Sequence, residues 1–75
     1  MLETIRNIIC SYVDIDPDEI TESSKIRSDI GLNSFDLVNV AVDLENEYGI
    51  SVDSKAFGGL KTVGDLMNYI NSVNK

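Results

Sequence analysis

Ser34 is the side chain in this sequence best placed to take part in chemistry. In Asp29-Ile30-Gly31-Leu32-Asn33-Ser34-Phe35-Asp36-Leu37-Val38 a loop turns into a helix. Asn33 is a strong N-cap, and Asp36 three residues on makes a weak capping box, with Asp where Glu or Gln is usual. Ser34 then falls at the first helical position, where unpaired backbone amides and the positive end of the helix dipole favour an anion. A phosphate ester on its oxygen is stabilised there. Gly31 gives the backbone the freedom for a tight entry. Nucleophilic catalysis by the same serine needs an adjacent base, and the chain has no histidine, which argues against a hydrolase.

Other chemistry is poorly supported. Cys10 is the single cysteine, so no internal disulfide framework exists, and nothing near it would activate a thiol. Without histidine the usual zinc constellations are missing. Asp14, Asp16 and Asp18 alternate like the opening of a calcium loop, but Glu19 stands where the sharp turn needs glycine. Lys25 stands where a bidentate glutamate should close the site. The segment is better read as a turn at Asp16-Pro17 leading into a one-turn helix, with Ile15 and Ile20 tucked inward.

The elements that must position Ser34 follow from apolar spacing. Leu2, Ile5, Ile8, Ile9 and Tyr12 recur three and four apart, predicting an amphipathic helix over Leu2 to Val13. Thr21 to Leu32 is a long polar connection pinned by Ile26, Ile30 and Leu32. A second helix over Ser34 to Tyr48 is apolar on two sides. At about 100° per residue, Leu37, Val40, Ala41, Leu44 and Tyr48 form a core face. Phe35, Val38 and Val42 form a stripe on the opposite side, which a small bundle cannot cover and which predicts a docking surface. Asp36, Asn39, Asp43, Asn46 and Glu47 lie between the stripes, and no Lys or Arg occurs from Ser28 through Ser54.

Gly49 is a good C-cap. Ile50 and Val52 lead into a short helix near Asp53 to Phe57, which Gly58-Gly59 should end early and leave mobile. Thr62 and Asp65 open the last helix, with Val63, Leu66, Met67, Tyr69, Ile70 and Val73 partly buried. The expected fold is all-α: three main helices and one short helix in a small four-helix bundle, with residues 1–75 forming one domain. Seventy-five residues bury only about 60% of the unfolded surface, leaving no room for an active-site cleft of the chain's own.

The net charge of −7 argues against nucleic acid and anionic membranes and for partners with basic patches. No apolar run approaches the roughly 20 residues that span a bilayer, and no secretory segment follows Met1. A cytoplasmic monomer is expected.

The serine decapeptide resembles the phosphopantetheine attachment motif of acyl carrier proteins, Asp-Leu-Gly-x-Asp-Ser-Leu-Asp-x-Val. Leu44-Glu45-Asn46-Glu47-Tyr48-Gly49-Ile50 resembles that family's Leu-Glu-Glu-Glu-Phe-Gly-Ile. Thr62-Val63-Gly64-Asp65-Leu66-Met67-Asn68-Tyr69-Ile70 resembles its last-helix block, so the similarity spans nearly the whole chain. It implies a carrier and not an enzyme. A phosphopantetheinyl transferase would use coenzyme A and magnesium to attach 4'-phosphopantetheine to Ser34, and acyl groups would ride on the arm's thiol. It also implies that Phe35, Asp36, Val38, Val42, Asp43, Glu45 and Glu47 meet acyl-transferring and synthase enzymes of fatty-acid or polyketide type. Asn33, Asn39 and Asn46 depart from the family pattern, and Lys55 and Phe57 replace acids in the third helix, which points to specialised partners. An aminoacyl or peptidyl carrier, or an unmodified helical interaction domain, is the alternative.

Overall fold

In the computed structural model, which describes residues 1–73, apolar spacing of three and four has produced four α-helices: α1 (Leu2–Cys10), α2 (Ser34–Tyr48), α3 (Ser54–Gly58) and α4 (Val63–Val73). The extents are 30 × 22 × 20 Å. This is the expected all-α arrangement of three main helices and a short one.

α1 closes a turn earlier than its pattern predicts. After Cys10 the amides of Ser11 and Tyr12 bond to Ile8 O and Ile9 O, three residues back, at 3.1 and 2.9 Å. The Ser11 hydroxyl also donates to Asn7 O at 3.1 Å. This tightened end still leaves Tyr12 against the core. Ile5 and Ile9 are fully buried, and Arg6 Nε donates to Ile20 O at 2.8 Å, tying α1 to the loop that follows. The segment after α1 is a single 3-10 turn over Pro17–Glu19, capped by Asp16, whose carboxylate accepts from the Asp18 amide at 2.9 Å. Ile20 is buried and Ile15 half-buried, as a turn with two inward isoleucines requires.

The connection from Thr21 to Asn33 holds its shape by burying Ile26, Ile30 and Leu32 and by pairing with the start of α4. Lys25 and Thr62 form an antiparallel bridge, Ile26 N donates to Lys61 O at 2.8 Å, and Val63 N donates to Ser24 O at 3.0 Å. Ser24, the one buried polar residue among those described, accepts from Thr21 N and donates to Glu19 O, so its hydroxyl is satisfied.

α2 buries Leu37, Val40 and Leu44 and ends at Gly49 in the left-handed conformation. α3 is capped by Asp53, whose carboxylate accepts from Lys55 N at 3.0 Å. It buries Phe57 against the core. α4 has the full reciprocal capping box. Thr62 Oγ1 accepts from Asp65 N at 3.1 Å and Asp65 Oδ2 accepts from Thr62 N at 3.3 Å. It buries Val63, Leu66 and Ile70, with Met67 and Tyr69 half-buried. Val73, expected to be partly buried, is exposed at the last turn, past the end of the core. Each buried aliphatic side chain is worth about 1.5–3 kcal/mol relative to exposure, so the Leu/Ile/Val core dominates the stability.

Candidate functional site

Ser34 is the first residue of α2 and is exposed. Its placement is set by Gly31 and Asn33 ahead of it and by Asp36 and Leu37 behind. Gly31, at φ +87°, turns the chain toward the helix in a conformation that other residues rarely adopt. Asn33 is extended, and its side-chain oxygen takes the Asp36 amide at 2.7 Å while its carbonyl takes the Leu37 amide at 2.9 Å. Those bonds hold the first turn. The amides of Ser34 and Phe35 precede the first intrahelical bond and give this end its positive character.

Ser34 also stands on the rim of a cleft of about 330 Å³ between α2 and α3. Leu37, Val38, Ala41 and Val42 form its α2 wall, and Val52 and Phe57 face them. An exposed hydroxyl beside free helix-terminal amides suits a phosphodiester, and an apolar cleft opening at the same point suits an aliphatic chain.

The two faces of α2 are as distinct as the spacing predicts. Leu37, Val40 and Leu44 face the core at 6% exposure or less, whereas Phe35, Val38 and Val42 are 75%, 61% and 47% exposed. Asp36, half-buried, and Glu47, exposed, flank that stripe. The other two acids expected at the surface make contacts within the fold. Asp43 is half-buried and accepts a hydrogen bond from the Tyr12 hydroxyl, bridging α2 to α1. Glu45 is half-buried, and its Oε2 accepts from Val52 N at 2.8 Å, holding the α2–α3 connection in place. The reason is geometric. At about 100° per residue both positions border the core face, and each finds an unpaired donor there. The Asp43 bond, and next burial and the nearby negative charge, push the Tyr12 phenol above its ordinary pKa.

Arg27 is the site residue that sequence spacing does not nominate. It lines the same cleft as Ser34. The loop folds back through Ile30 N to Lys25 O at 3.1 Å and Leu32 N to Ile26 O at 3.2 Å. Arg27 is thereby returned to the α2–α3 cleft, although it lies outside the cation-free stretch in sequence. No local pattern could have revealed this.

A small helical bundle that holds out one serine over an apolar cleft, with an exposed apolar stripe alongside, has the geometry that a carrier of a covalently attached group requires. Comparison with known proteins agrees. The family model described as "Phosphopantetheine attachment site" matches residues 3–70. The chain is also similar to the acyl carrier protein of Thermotoga maritima, 36% identical over 66 residues, which is 88% of this chain and 82% of that one. The chain therefore belongs to the phosphopantetheine attachment family, and phosphopantetheine is its prosthetic group. No helix among the described residues is long and apolar enough to cross a membrane.

Proposed function

We propose that Ser34 is the attachment residue, and that the protein is a monomeric, cytoplasmic acyl carrier serving separate enzymes of fatty-acid or polyketide type. The observation that carries this reading is the exposed Ser34 hydroxyl at the start of α2 on the rim of the apolar cleft. The likeness to the Thermotoga maritima acyl carrier protein supports the acyl cargo.

In loading, the Ser34 oxygen displaces the adenosine bisphosphate half of coenzyme A from the phosphorus that stays with the arm. With no histidine in the chain, the transferase takes the serine proton. The free amides of the α2 first turn, and Arg27 on the same cleft, would hold the phosphodiester charge. When attached, the arm supplies a terminal thiol that holds acyl groups as thioesters. The α2–α3 cleft shelters an apolar cargo between visits, with Phe57 as its far wall. Phe35, Val38 and Val42 form the contact stripe for partner enzymes, and Asp36 and Glu47 steer basic patches toward it. Asp43 and Glu45 add to the field of this face while holding α1 and the α2–α3 connection. Weak docking steered in this way keeps release fast.

Incubation with coenzyme A, magnesium and a broad-specificity transferase tests the reading. The wild-type chain gains the mass of the arm and Ser34→Ala does not. Loading of a long acyl group should then shift the NMR signals of Phe57 and Leu60, and unchanged signals there would remove the cleft from the account.

A further inference from the structure

Three of the six cations in the sequence, Lys25, Arg27 and Lys61, line a second cleft of about 430 Å³, together with Ser28, Gly58, Gly59 and Leu60. No carboxylate is among the lining residues. Two of these cations are brought together by the backbone, because Lys25 bridges to Thr62 and Ile26 N bonds Lys61 O. Like charges gathered on neighbouring paired segments repel. In a chain of net charge −7 such a cluster is a local concentration of positive charge. An anion in the cleft relieves the repulsion.

Position identifies the anion. The second cleft shares Arg27 and Gly58 with the cleft on whose rim Ser34 stands. Gly58 carries no side chain and no atom lies within 4 Å of where its Cβ would stand, so it puts no wall between the two. A ligand running from the first cleft into the second meets Leu37, Val38 and Phe57 and then the three cations. It is apolar in the middle and anionic at the far end. The arm's own phosphate does not fit this description. Fixed on Ser34, it lies at the first cleft with Arg27, whereas Lys25 and Lys61 line only the second.

We infer that Lys25, Arg27 and Lys61 seat the distal carboxylate of an ω-carboxyacyl cargo long enough to run through the first cleft into the second. The inference rests on the carrier reading above and narrows its cargo. The three side chains are exposed, so neutral replacements leave the core intact.

The test compares holo-protein, octanoyl-loaded and suberoyl-loaded protein, prepared with a transferase from coenzyme A and its thioesters, by amide and side-chain NMR. Gain of the arm's mass comes first. Its absence would refute the carrier reading itself, before any cargo is compared. Given the arm, octanoyl should move the Leu37 and Phe57 signals, and suberoyl should also move Lys25, Arg27, Gly58 and Lys61. That added shift should be lost in Arg27→Gln and Lys61→Gln. It should also be lost in about 1 M salt, where the screening length falls to about 3 Å. Identical shifts at the four residues for both cargoes would overturn the inference and leave the carrier standing. Full movement of those residues on attachment of the bare arm would overturn it too, by assigning the cleft to the arm's phosphate.

Discussion

Tyr12 donates its phenol hydrogen to the Asp43 carboxylate, and this bond joins the turn after α1 to the middle of α2. It accounts for an acid on α2 that is not free at the surface. The same bond holds the Tyr12 proton, with burial and the charges of Asp43 and Asp36 acting in the same direction, so the pKa lies above the usual 10.0. A raised value in the folded state means that the contribution to stability is complete below about pH 10. It is lost as pH rises through the folded value. An ultraviolet titration should show a phenol ionising above the usual 10.0, and Tyr12→Phe should remove that late component. A titration curve from which Tyr12→Phe removes no late component would contradict the bond.

Tyr48 lies at the end of α2 with a buried hydroxyl that has no hydrogen-bond partner among the described residues. Leaving such a group unsatisfied costs about 1–3 kcal/mol. Tyr48→Phe should therefore stabilise the fold by about 1 kcal/mol, a rise in Tm of about 4–8 °C for a domain of this size. A fall in Tm on thermal melting would mean that the hydroxyl has a partner after all.

Gly64 is needed where α4 meets the long loop. A Cβ there would stand 3.0 Å from the Glu22 carbonyl oxygen, which cannot retreat easily because it accepts the Gly64 amide at 2.7 Å. Overpacking against backbone costs about 1–3 kcal/mol, more than the gain of up to about 1 kcal/mol in helix propensity. Gly64→Ala should lower stability in urea denaturation by about 1 kcal/mol. It should also loosen the pairing of Lys25 with Thr62, seen as faster hydrogen exchange at Ile26 and Val63.

Exposure divides substitutions on α2 into two kinds. Leu44 is fully buried, and Leu44→Ala should cost about 2–5 kcal/mol by leaving a cavity. Phe35→Ala, at a side chain 75% exposed, should change stability by no more than about 0.5 kcal/mol. Its effect should appear instead as slower loading by the transferase, through a raised KM, as expected for an aromatic anchor. Equal loading kinetics for Phe35→Ala and wild type would remove the stripe from the docking surface.

Much of the arrangement was legible from residue spacing because it depends on local periodicity. The Asn33 cap ahead of Ser34, the two apolar faces of α2 and the Thr62–Asp65 capping box all follow from neighbours within one or two turns. What could not be read depends on contacts between distant segments. The periodicity that carries α1 on to Val13 cannot show that the helix tightens at Ser11. Asp43 and Glu45 look like surface acids until Tyr12 and the Val52 amide are folded against them. Arg27 reaches the serine cleft, and Lys25 comes beside Lys61, only because the loop doubles back and pairs with the start of α4.

Carriage of the arm depends on one oxygen atom, that of Ser34. Because no Lys or Arg occurs from Ser28 through Ser54, trypsin releases a single fragment, Ser28–Lys55, containing Ser28, Ser34, Ser51 and Ser54. Fragmentation mass spectrometry of that peptide, from protein purified from its own cells, should place the phosphopantetheine mass on Ser34. An unmodified peptide, or the arm on any other residue, would contradict the account.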